Sequence, residues 1–201
     1  MDTLEYYNQN AVSFSQNTRD VDFHEIQQRF LAKLPGTGHI LDFGCGSGRD
    51  TRFFLEQGYM VDAVDGSAEL CRIASRYTGI PVKQMLFQEL NEMDAYAGIW
   101  ACASILHIPK QELLDVVLRI RDALKEGGVF YTSFKYGDFE GMRNGRYFSD
   151  FTEESFRIFM QSVPELVLEA QWITGDARPG REEEKWLNVI YKKIQKSECN
   201  L

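Results

Sequence analysis

Three glycines at alternate positions, directly after an apolar pentapeptide, are the feature that most constrains the fold of this chain. The pentapeptide 39–43 predicts a short buried strand. Gly44, Gly46 and Gly48 then predict a tight turn that leads into a helix. Glycines in such a turn let a ligand approach the backbone closely, beside the N-terminus of a helix. The segment therefore predicts a ligand site at the carboxyl end of a strand in an α/β fold.

Strand and helix patterns alternate along the rest of the chain. After the turn, the predicted strands are 59–64, 81–86, 97–103 and 129–134. The predicted helices between them are 49–57, 65–77 and 109–126, the last ended by Gly127-Gly128. The remaining predictions are an irregular segment over 136–151, a short helix at 152–161, and late strands near 166–174 and 186–194.

This alternation predicts an α/β fold with a doubly wound, seven-stranded, mostly parallel sheet. The two late strands have no convincing helix between them, so they predict an antiparallel edge hairpin. Residues 1–34 predict a helical cap. We therefore expect a single domain over 1–201, with the cap at 1–34, a ligand-binding core at 39–134 and a substrate-side and edge-strand region at 135–201.

Composition excludes several function classes. A length of 201 residues with 44% hydrophobic and 26% charged residues is typical of one globular domain. The formal net charge of −8 disfavours binding to nucleic-acid backbones. The polar start and the lack of an 18-residue apolar run predict a cytoplasmic protein without a membrane partner. The cysteines 45, 71, 102 and 199 are widely spaced, which predicts reduced thiols and no metal site.

The spacing of the glycines indicates which cofactor is bound. A dinucleotide fingerprint places its third glycine three residues after the second, whereas Gly48 follows Gly46 by two, and Arg49 stands at the fingerprint's last position. With Asp42 ahead of it, this turn resembles motif I of the class I S-adenosylmethionine-dependent methyltransferases. The resemblance implies a Rossmann-like methyltransferase fold, a methyltransferase activity, and S-adenosylmethionine as cofactor with S-adenosylhomocysteine as product.

Further segments carry the same resemblance in the expected order. Asp65 ends the second strand, 19 residues after Gly46, where a carboxylate can accept hydrogen bonds from both hydroxyls of a ribose. Residues 87–90 stand where the family places its adenine pocket. Residues 99–108 resemble the strand and loop that line the substrate side, and they carry His107. The Asp65-Gly66-Ser67 triplet is most similar to the small bacterial branch (methyltransferase type 11/12, tellurite-resistance-like).

The resemblance implies a set of site residues. His107 is the predicted catalytic residue, as a general base or as a group that orients the acceptor. The predicted cofactor-binding residues are Tyr7, Asp42, Gly44, Gly46, Gly48, Arg49, Asp65, Gly66, Ser67, Phe87, Gln88, Leu90 and Ala103. Aromatic rings of the cap, at Tyr6, Tyr7 and Phe14, are candidates to face the sulfonium if the cap closes as a lid.

The acceptor is predicted to be a small molecule bound by the cap, the 135–151 segment and the loop near 175–185. Two groups of side chains there, mainly basic, predict a small anionic acceptor if they converge: Lys135, Tyr136, Arg143, Arg146, Arg178 and Arg181. Two other readings of the whole chain stay open at this point. One is a nicotinamide-dependent oxidoreductase, and the other is a non-catalytic module that binds S-adenosylmethionine.

Overall fold

A computed structural model of the chain describes residues 2–181 and 183–194. Within these residues the strands are β1 (His39–Phe43), β2 (Met60–Asp65), β3 (Val82–Gln84), β4 (Tyr96–Ala101), β5 (Leu124–Lys135), β6 (Glu140–Arg143), β7 (Arg146–Ser149), β8 (Leu166–Gly175) and β9 (Lys185–Lys193). The α-helices are α1 (Thr3–Thr18), α2 (His24–Leu31), α3 (Arg49–Glu56), α4 (Ala68–Thr78), α5 (Lys110–Ala123) and α6 (Glu153–Met160). None of the helices described is long and apolar enough to cross a membrane.

Seven of the strands form one sheet, in the order β3-β2-β1-β4-β5-β9-β8. The first five are mutually parallel, and β9 runs antiparallel to both of its neighbours. The mostly parallel sheet with an antiparallel edge hairpin is therefore confirmed. The chain leaves β1 toward β2 on one side and returns on the other side as β4. Such a reversal of strand order opens a crevice at the carboxyl ends of the strands, where ligands bind in this class of fold.

Apolar side chains cover both faces of the sheet. On one face, Phe30 of α2 and Phe54 of α3 pack against Trp100 at ring-centroid distances of 5.2 and 5.4 Å. On the other face, α5 presents Leu113, Val117 and Ile120, all fully buried, at the helical spacing that predicted this face. A sheet packed on both faces is rigid, so it holds the loops at its edge in fixed positions.

Two boundaries differ from the sequence prediction. The predicted cap is two helices, because α1 ends at Thr18 and α2 begins at His24. Helix α5 ends at Ala123, and Gly127 and Gly128 lie inside β5 rather than at the end of the helix. The backbone conformation requires both glycines, since Gly127 has a φ of +73° and a Cβ at position 128 would lie 2.7 Å from the Lys125 carbonyl oxygen.

The segment 136–151, predicted to be irregular, instead contains a β-hairpin made of β6 and β7. The hairpin turns at Asn144 and Gly145, whose φ angles are +52° and +78°. Positive φ at both central residues is typical of a type I′ turn, for which Asn-Gly is a favoured pair. The Asn144-Gly145 pair was visible in the sequence and could have predicted this hairpin. The hairpin matters because it brings Arg146 over the carboxyl ends of the parallel strands.

Three of the four cysteines lie in the part of the chain that the structure describes. Cys45, Cys71 and Cys102 are free thiols, and burial raises the pKa of each. Cys199 lies outside the residues that the structure describes.

Candidate functional site

A cavity of about 750 Å³ lies at the carboxyl ends of the parallel strands. This volume falls within the usual range for small-molecule sites. The glycine turn and the end of β2 line one half. The loop after β4, helix α1 and the β6–β7 hairpin line the other half, together with the loop between β8 and β9. The three segments predicted to surround the acceptor therefore meet at one cavity.

Backbone geometry dictates the glycines of the turn. Gly44, Gly46 and Gly48 have φ angles of +88°, +56° and +82°, which side-chain-bearing residues adopt rarely. A Cβ at position 44 would lie 2.5 Å from the Cβ of Ser104, and one at position 46 would lie 3.2 Å from the ring of Phe14. Gly44 and Gly46 line the cavity, so a ligand there meets bare backbone. Gly48 lies outside the lining, where it packs against α4 and caps α3.

Asp65 presents its carboxylate to the cavity at the end of β2. One oxygen accepts a hydrogen bond from the Gly46 N–H at 2.9 Å, and the other accepts from the Ser67 N–H at 2.8 Å. Burial raises the pKa of Asp65, while the two N–H donors act to lower it. Each oxygen keeps a lone pair for another donor. The carboxylate is therefore positioned to accept two hydroxyl groups, as a ribose diol requires.

Three other predicted cofactor residues support the site from outside the lining. Asp42 is buried and accepts a hydrogen bond from the Thr51 hydroxyl at 2.5 Å. Burial and the nearby Asp50 raise the pKa of Asp42 to about 8. Ser67 is fully buried and caps α4 through its hydroxyl oxygen, and Leu90 belongs to the apolar core. These residues hold the turn and the helix ends in place.

Arg49 lines the cavity, and its charge is already compensated. It makes two hydrogen bonds to Asp50, at 2.8 and 2.9 Å, and its guanidinium lies 4.1 Å from the ring centroid of Phe23. Asp50 also accepts from Trp100 at 2.9 Å and from Gln27 at 2.6 Å. These three partners, Arg49 first, keep the pKa of Asp50 low in spite of its burial.

The segment after β3 forms an apolar wall beside Asp65. Phe87, Gln88 and the neighbouring Gly66 line the cavity, as predicted. The Phe87 ring packs edge-on against Phe43, with a centroid distance of 4.8 Å. The wall also includes Leu86, which is 42% exposed and was not predicted. The only sequence signal for Leu86 was its place as the last residue of the predicted strand 81–86.

His107 lies in a single 3-10 turn after β4, on the opposite side of the cavity. Its Nδ1 lies 2.6 Å from the carbonyl oxygen of Tyr147, which accepts only, so Nδ1 carries the proton. Its Nε2 lies 2.8 Å from the Tyr7 hydroxyl. Burial lowers the pKa of His107 to about 4, so the ring is neutral at pH 7. Nε2 is therefore a hydrogen-bond acceptor, and the Tyr7 hydroxyl donates to it.

The loop that carries His107 is shaped by Ala103 and Ser104. Ala103 lines the cavity, as predicted, in a left-handed conformation with φ +48°. Its N–H donates to the Ser133 hydroxyl at 2.9 Å, and the Ser104 hydroxyl donates to the Phe43 carbonyl at 2.7 Å. Non-glycine residues with positive φ are uncommon and occur often at functional sites. These two bonds connect the loop to β5 and β1.

Helix α1 covers the cavity from above. Phe14 packs over Gly46, and Leu4 lies so close to Gly66 that a Cβ there would be 2.6 Å from it. The helix is also tied by hydrogen bonds at both sides. The Ser67 hydroxyl donates to Asn8 at 2.7 Å, and the Tyr147 N–H donates to the Thr3 hydroxyl at 2.9 Å. The predicted cap therefore reaches both halves of the cavity.

Most of the predicted cluster of cations is neutralised by carboxylates. Lys135 pairs with Glu184, Arg143 with Asp150, Arg178 with Asp176, and Arg181 with Glu184. Burial, together with the neighbouring arginines, lowers the pKa of Lys135 to about 8. The condition set for an anionic acceptor is met, since these residues converge at the cavity, but their carboxylate partners were not foreseen. Sequence distance hides such pairs, since Lys135 and Glu184 are 49 positions apart.

Comparisons with known proteins agree with this geometry. Residues 40–128 match a family model described as a methyltransferase domain. The match covers β1 to the glycine pair of β5, and so includes the glycine turn, Asp65 and His107. Helix α1, with Tyr7 and Phe14, precedes the match, and the β6–β7 hairpin follows it.

The chain is also similar to curated proteins and to solved structures. One is the 18S rRNA (guanine-N(7))-methyltransferase bud23 of Schizosaccharomyces pombe, 26% identical over 140 residues. The alignment covers 61% of this chain and 52% of that protein, so the chain spans about half the length of this curated relative.

Two solved structures share the fold of nearly the whole chain. One is the Burkholderia thailandensis 1,6-didemethyltoxoflavin-N1-methyltransferase with bound 1,6-didemethyltoxoflavin and S-adenosylhomocysteine. It has a TM-score of 0.74 and 23% identity, covering 97% of this chain and 92% of that chain. The other is an S-adenosylmethionine-dependent methyltransferase of Methanosarcina mazei, with a TM-score of 0.73 and 17% identity. It covers 87% of this chain and 100% of that one.

Proposed function

We propose that this chain transfers a methyl group from S-adenosylmethionine to a small-molecule acceptor bound in the same cavity. The observation that carries the proposal is the continuity of the cavity. It runs from the glycine turn and Asp65, which fit a nucleoside, to the His107–Tyr7 pair, which fits a nucleophile that must lose a proton. The methyltransferase match over 40–128 supports it.

The half that fits the cofactor supplies backbone, a carboxylate and an apolar wall. Gly44 and Gly46 would admit the methionine part, Asp65 would accept the ribose hydroxyls, and Phe87 with Gln88 would border the adenine. When bound, S-adenosylmethionine supplies an electrophilic methyl group on a sulfonium sulfur. The proposed roles of Gly66, Arg49, Ala103 and Tyr7 rest on their positions in the lining, whereas Asp42, Gly48, Ser67 and Leu90 would act by supporting the turn.

The half that fits the acceptor supplies a route for a proton. His107 is neutral, and its Nδ1 proton is held by the Tyr147 carbonyl, so Nε2 is the basic atom. The Tyr7 hydroxyl already donates to Nε2, and its oxygen keeps one lone pair besides the one that accepts from Arg146 Nη1 at 3.3 Å. An acceptor proton would pass to the Tyr7 oxygen while the Tyr7 proton moves to Nε2. No covalent intermediate is required, because orientation of the two reactants can supply most of the rate enhancement.

The enclosure of the site supports a small molecule rather than RNA. Helix α1 lies across the cavity and contacts the glycine turn, α4 and the hairpin. The cations that could bind phosphates are largely paired with carboxylates, and the net charge is −8. The rRNA-methylating relative makes structured RNA the alternative acceptor, so it belongs in the same screen.

A two-stage experiment tests the proposal. Calorimetric titration of the full chain with S-adenosylhomocysteine and with NADH comes first, and we expect only S-adenosylhomocysteine to bind. Release of S-adenosylhomocysteine from S-adenosylmethionine is then measured with thiols, phenols, amines, carboxylates, soft oxyanions and rRNA fragments. Turnover of a small molecule is the expected result. Binding of NADH alone would restore the oxidoreductase reading. Binding without turnover across the panel would favour the non-catalytic module, and turnover of RNA alone would overturn the small-molecule acceptor.

Several sequence predictions remain predictions. They are the assignment to the small bacterial, tellurite-resistance-like branch (type 11/12), the cytoplasmic location, and the division of one domain into 1–34, 39–134 and 135–201.

A further inference from the structure

Arg146 differs from the other arginines of the cavity in having no carboxylate partner among the residues that the structure describes. Arg49, Lys135, Arg143, Arg178 and Arg181 each pair with an aspartate or a glutamate within 4.0 Å. Arg146 lines the same cavity and is only partly exposed, yet no carboxylate among the described residues lies within that distance of it. A partly buried guanidinium without a counter-ion is costly, so an unpaired one in a ligand cavity is informative.

Aromatic rings hold the Arg146 guanidinium in place. Its central carbon lies 4.8 Å from the ring centroid of Tyr6, 5.8 Å from that of Tyr7 and 5.2 Å from that of Phe148. Rings at these distances attract the cation but satisfy none of its donors. The side chain is therefore positioned in advance, while most of its hydrogen-bonding capacity stays unused.

The hydrogen bonds of Arg146 leave donors free. Nη1 donates to the Tyr7 hydroxyl at 3.3 Å, a long contact. Nε is shielded from solvent and has no hydrogen-bond partner. A buried donor without a partner lowers stability, so the guanidinium is held in place at a cost to the folded protein. The Tyr7 contact places this unused capacity one residue away from the His107 nitrogen that we propose accepts a proton.

From this arrangement we infer that Arg146 binds a carboxylate of the methyl acceptor and so determines which acceptors enter the site. The inference rests on the proposed function, because it names the acceptor class for the same cavity. A carboxylate matches the planar fork of a guanidinium in a bidentate contact. A single unpaired guanidinium fits a monoanion better than a dianionic phosphate ester, because the other arginines of the cavity are already paired with carboxylates.

The position of the carboxylate implies where the nucleophile lies. Because Arg146 contacts Tyr7 and Tyr7 contacts His107, a carboxylate on the guanidinium would hold the rest of the acceptor beside the Tyr7 oxygen. The acceptor class is therefore a small carboxylic acid with a second group, such as a hydroxyl, thiol or amine, that is methylated. Arg146 is a specificity-determining residue in this scheme, while the proton moves through Tyr7.

Nuclear magnetic resonance of the arginine side chains tests the inference directly. The Nε–H signal of Arg146 is assigned by its loss in Arg146→Gln. The full chain, saturated with S-adenosylhomocysteine, is titrated with acetate, benzoate and 4-hydroxybenzoate, and with the three corresponding neutral amides. We expect at least one acid to shift the Arg146 signal to saturation, at least tenfold more tightly than its amide.

Two variants of Arg146 separate the contribution of the planar guanidinium from that of its positive charge. Arg146→Gln should abolish the preference for the acid, and Arg146→Lys should retain only part of it, because lysine keeps the charge without the bidentate fork. Lys83→Gln makes the same change in charge as Arg146→Gln at an exposed site in β3, outside the cavity, and should leave the preference unchanged. Melting temperatures establish that each variant is folded.

Two results would overturn the inference. One is that no acid binds more tightly than its amide at Arg146. The other is that Arg146→Gln, still folded, keeps the acid preference. The proposed function fails in a different way, through absence of S-adenosylhomocysteine binding in the same samples. An acid that shifts Arg146 in protein without bound S-adenosylhomocysteine would then still support an anion site there.

Discussion

The two halves of the cavity are built in different ways. The half that we assign to the cofactor is built on residues close in sequence, with the turn Gly44–Gly48 joined to Asp65 by a hydrogen bond from the Gly46 N–H to the carboxylate. The half that we assign to the acceptor joins Tyr7, His107 and Arg146, which are about 40 to 140 positions apart. The first half depends on backbone conformation, the second on the packing of three separate segments. A variant in the first half should therefore change affinity for the cofactor, and one in the second should change turnover.

The largest expected effect is on the acceptor half. His107→Gln should lower turnover by roughly 10²–10⁴-fold, with any acceptor found in the release screen, because the basic nitrogen is lost. S-adenosylhomocysteine should still bind with wild-type affinity. Tyr7→Phe is the matched variant, since it removes only the hydroxyl that we place between acceptor and imidazole. If Tyr7→Phe keeps full activity while His107→Gln loses it, the proton reaches His107 without Tyr7. If both keep full activity, the pair is structural.

The second prediction concerns stability and pH. The pKa of His107 is about 4 in the folded chain and about 6.5 in an unfolded one, so the unfolded state binds the extra proton between these values. Stability from this group is complete above pH 6.5 and is lost as the pH falls toward 4. The loss amounts to about 3 kcal/mol in the free energy of unfolding. Urea unfolding at pH 7, 5.5 and 4 should show this component in the wild type and not in His107→Gln. Equal pH dependence in both proteins would contradict the burial of a neutral imidazole.

The third prediction belongs to the cofactor half. Asp65→Asn keeps the shape of the side chain but removes the charge, and hydrogen bonds to charged groups contribute about 1.5–3 kcal/mol each. Calorimetry should therefore show S-adenosylhomocysteine binding at least tenfold more weakly. Asp62→Asn is the control, because Asp62 lies in the same strand outside the lining of the cavity. Unchanged affinity in Asp65→Asn would remove the ribose assignment, and weaker binding in Asp62→Asn would transfer it.

The smallest effect is expected where the two halves meet, at helix α1. Phe14→Ala removes the ring that covers Gly46 and should weaken S-adenosylhomocysteine binding by roughly tenfold, since burying a large apolar side chain contributes about 1.5–3 kcal/mol. Val12→Ala alters a side chain of the same helix that is 60% exposed, and it should have no effect. If both variants bind S-adenosylhomocysteine with equal affinity, α1 covers only the acceptor half of the cavity.

The cofactor half was predictable because its signals are local. A strand followed by Gly44, Gly46 and Gly48 encodes the turn through positive φ angles, and Asp65 follows at the end of the next strand. Local signals also explain the errors. The pair Gly127-Gly128 is typical of a helix end, but here it lies inside a strand, because β4 pairs with Leu124 before the glycines as well as with Val129 after them.

By itself, the sequence determined the order of strands and helices, the parallel sheet with its antiparallel edge, the glycine turn, and the presence of basic side chains in the segments that meet at the cavity. Tertiary structure alone decided which of those side chains are neutralised, that Tyr7 donates to His107, and that Arg146 has no carboxylate partner among the described residues. The physical reason is the distance along the chain over which each effect acts. Periodicity and turn conformation act over a few residues, whereas charge compensation depends on distances in space between segments that the chain order does not relate.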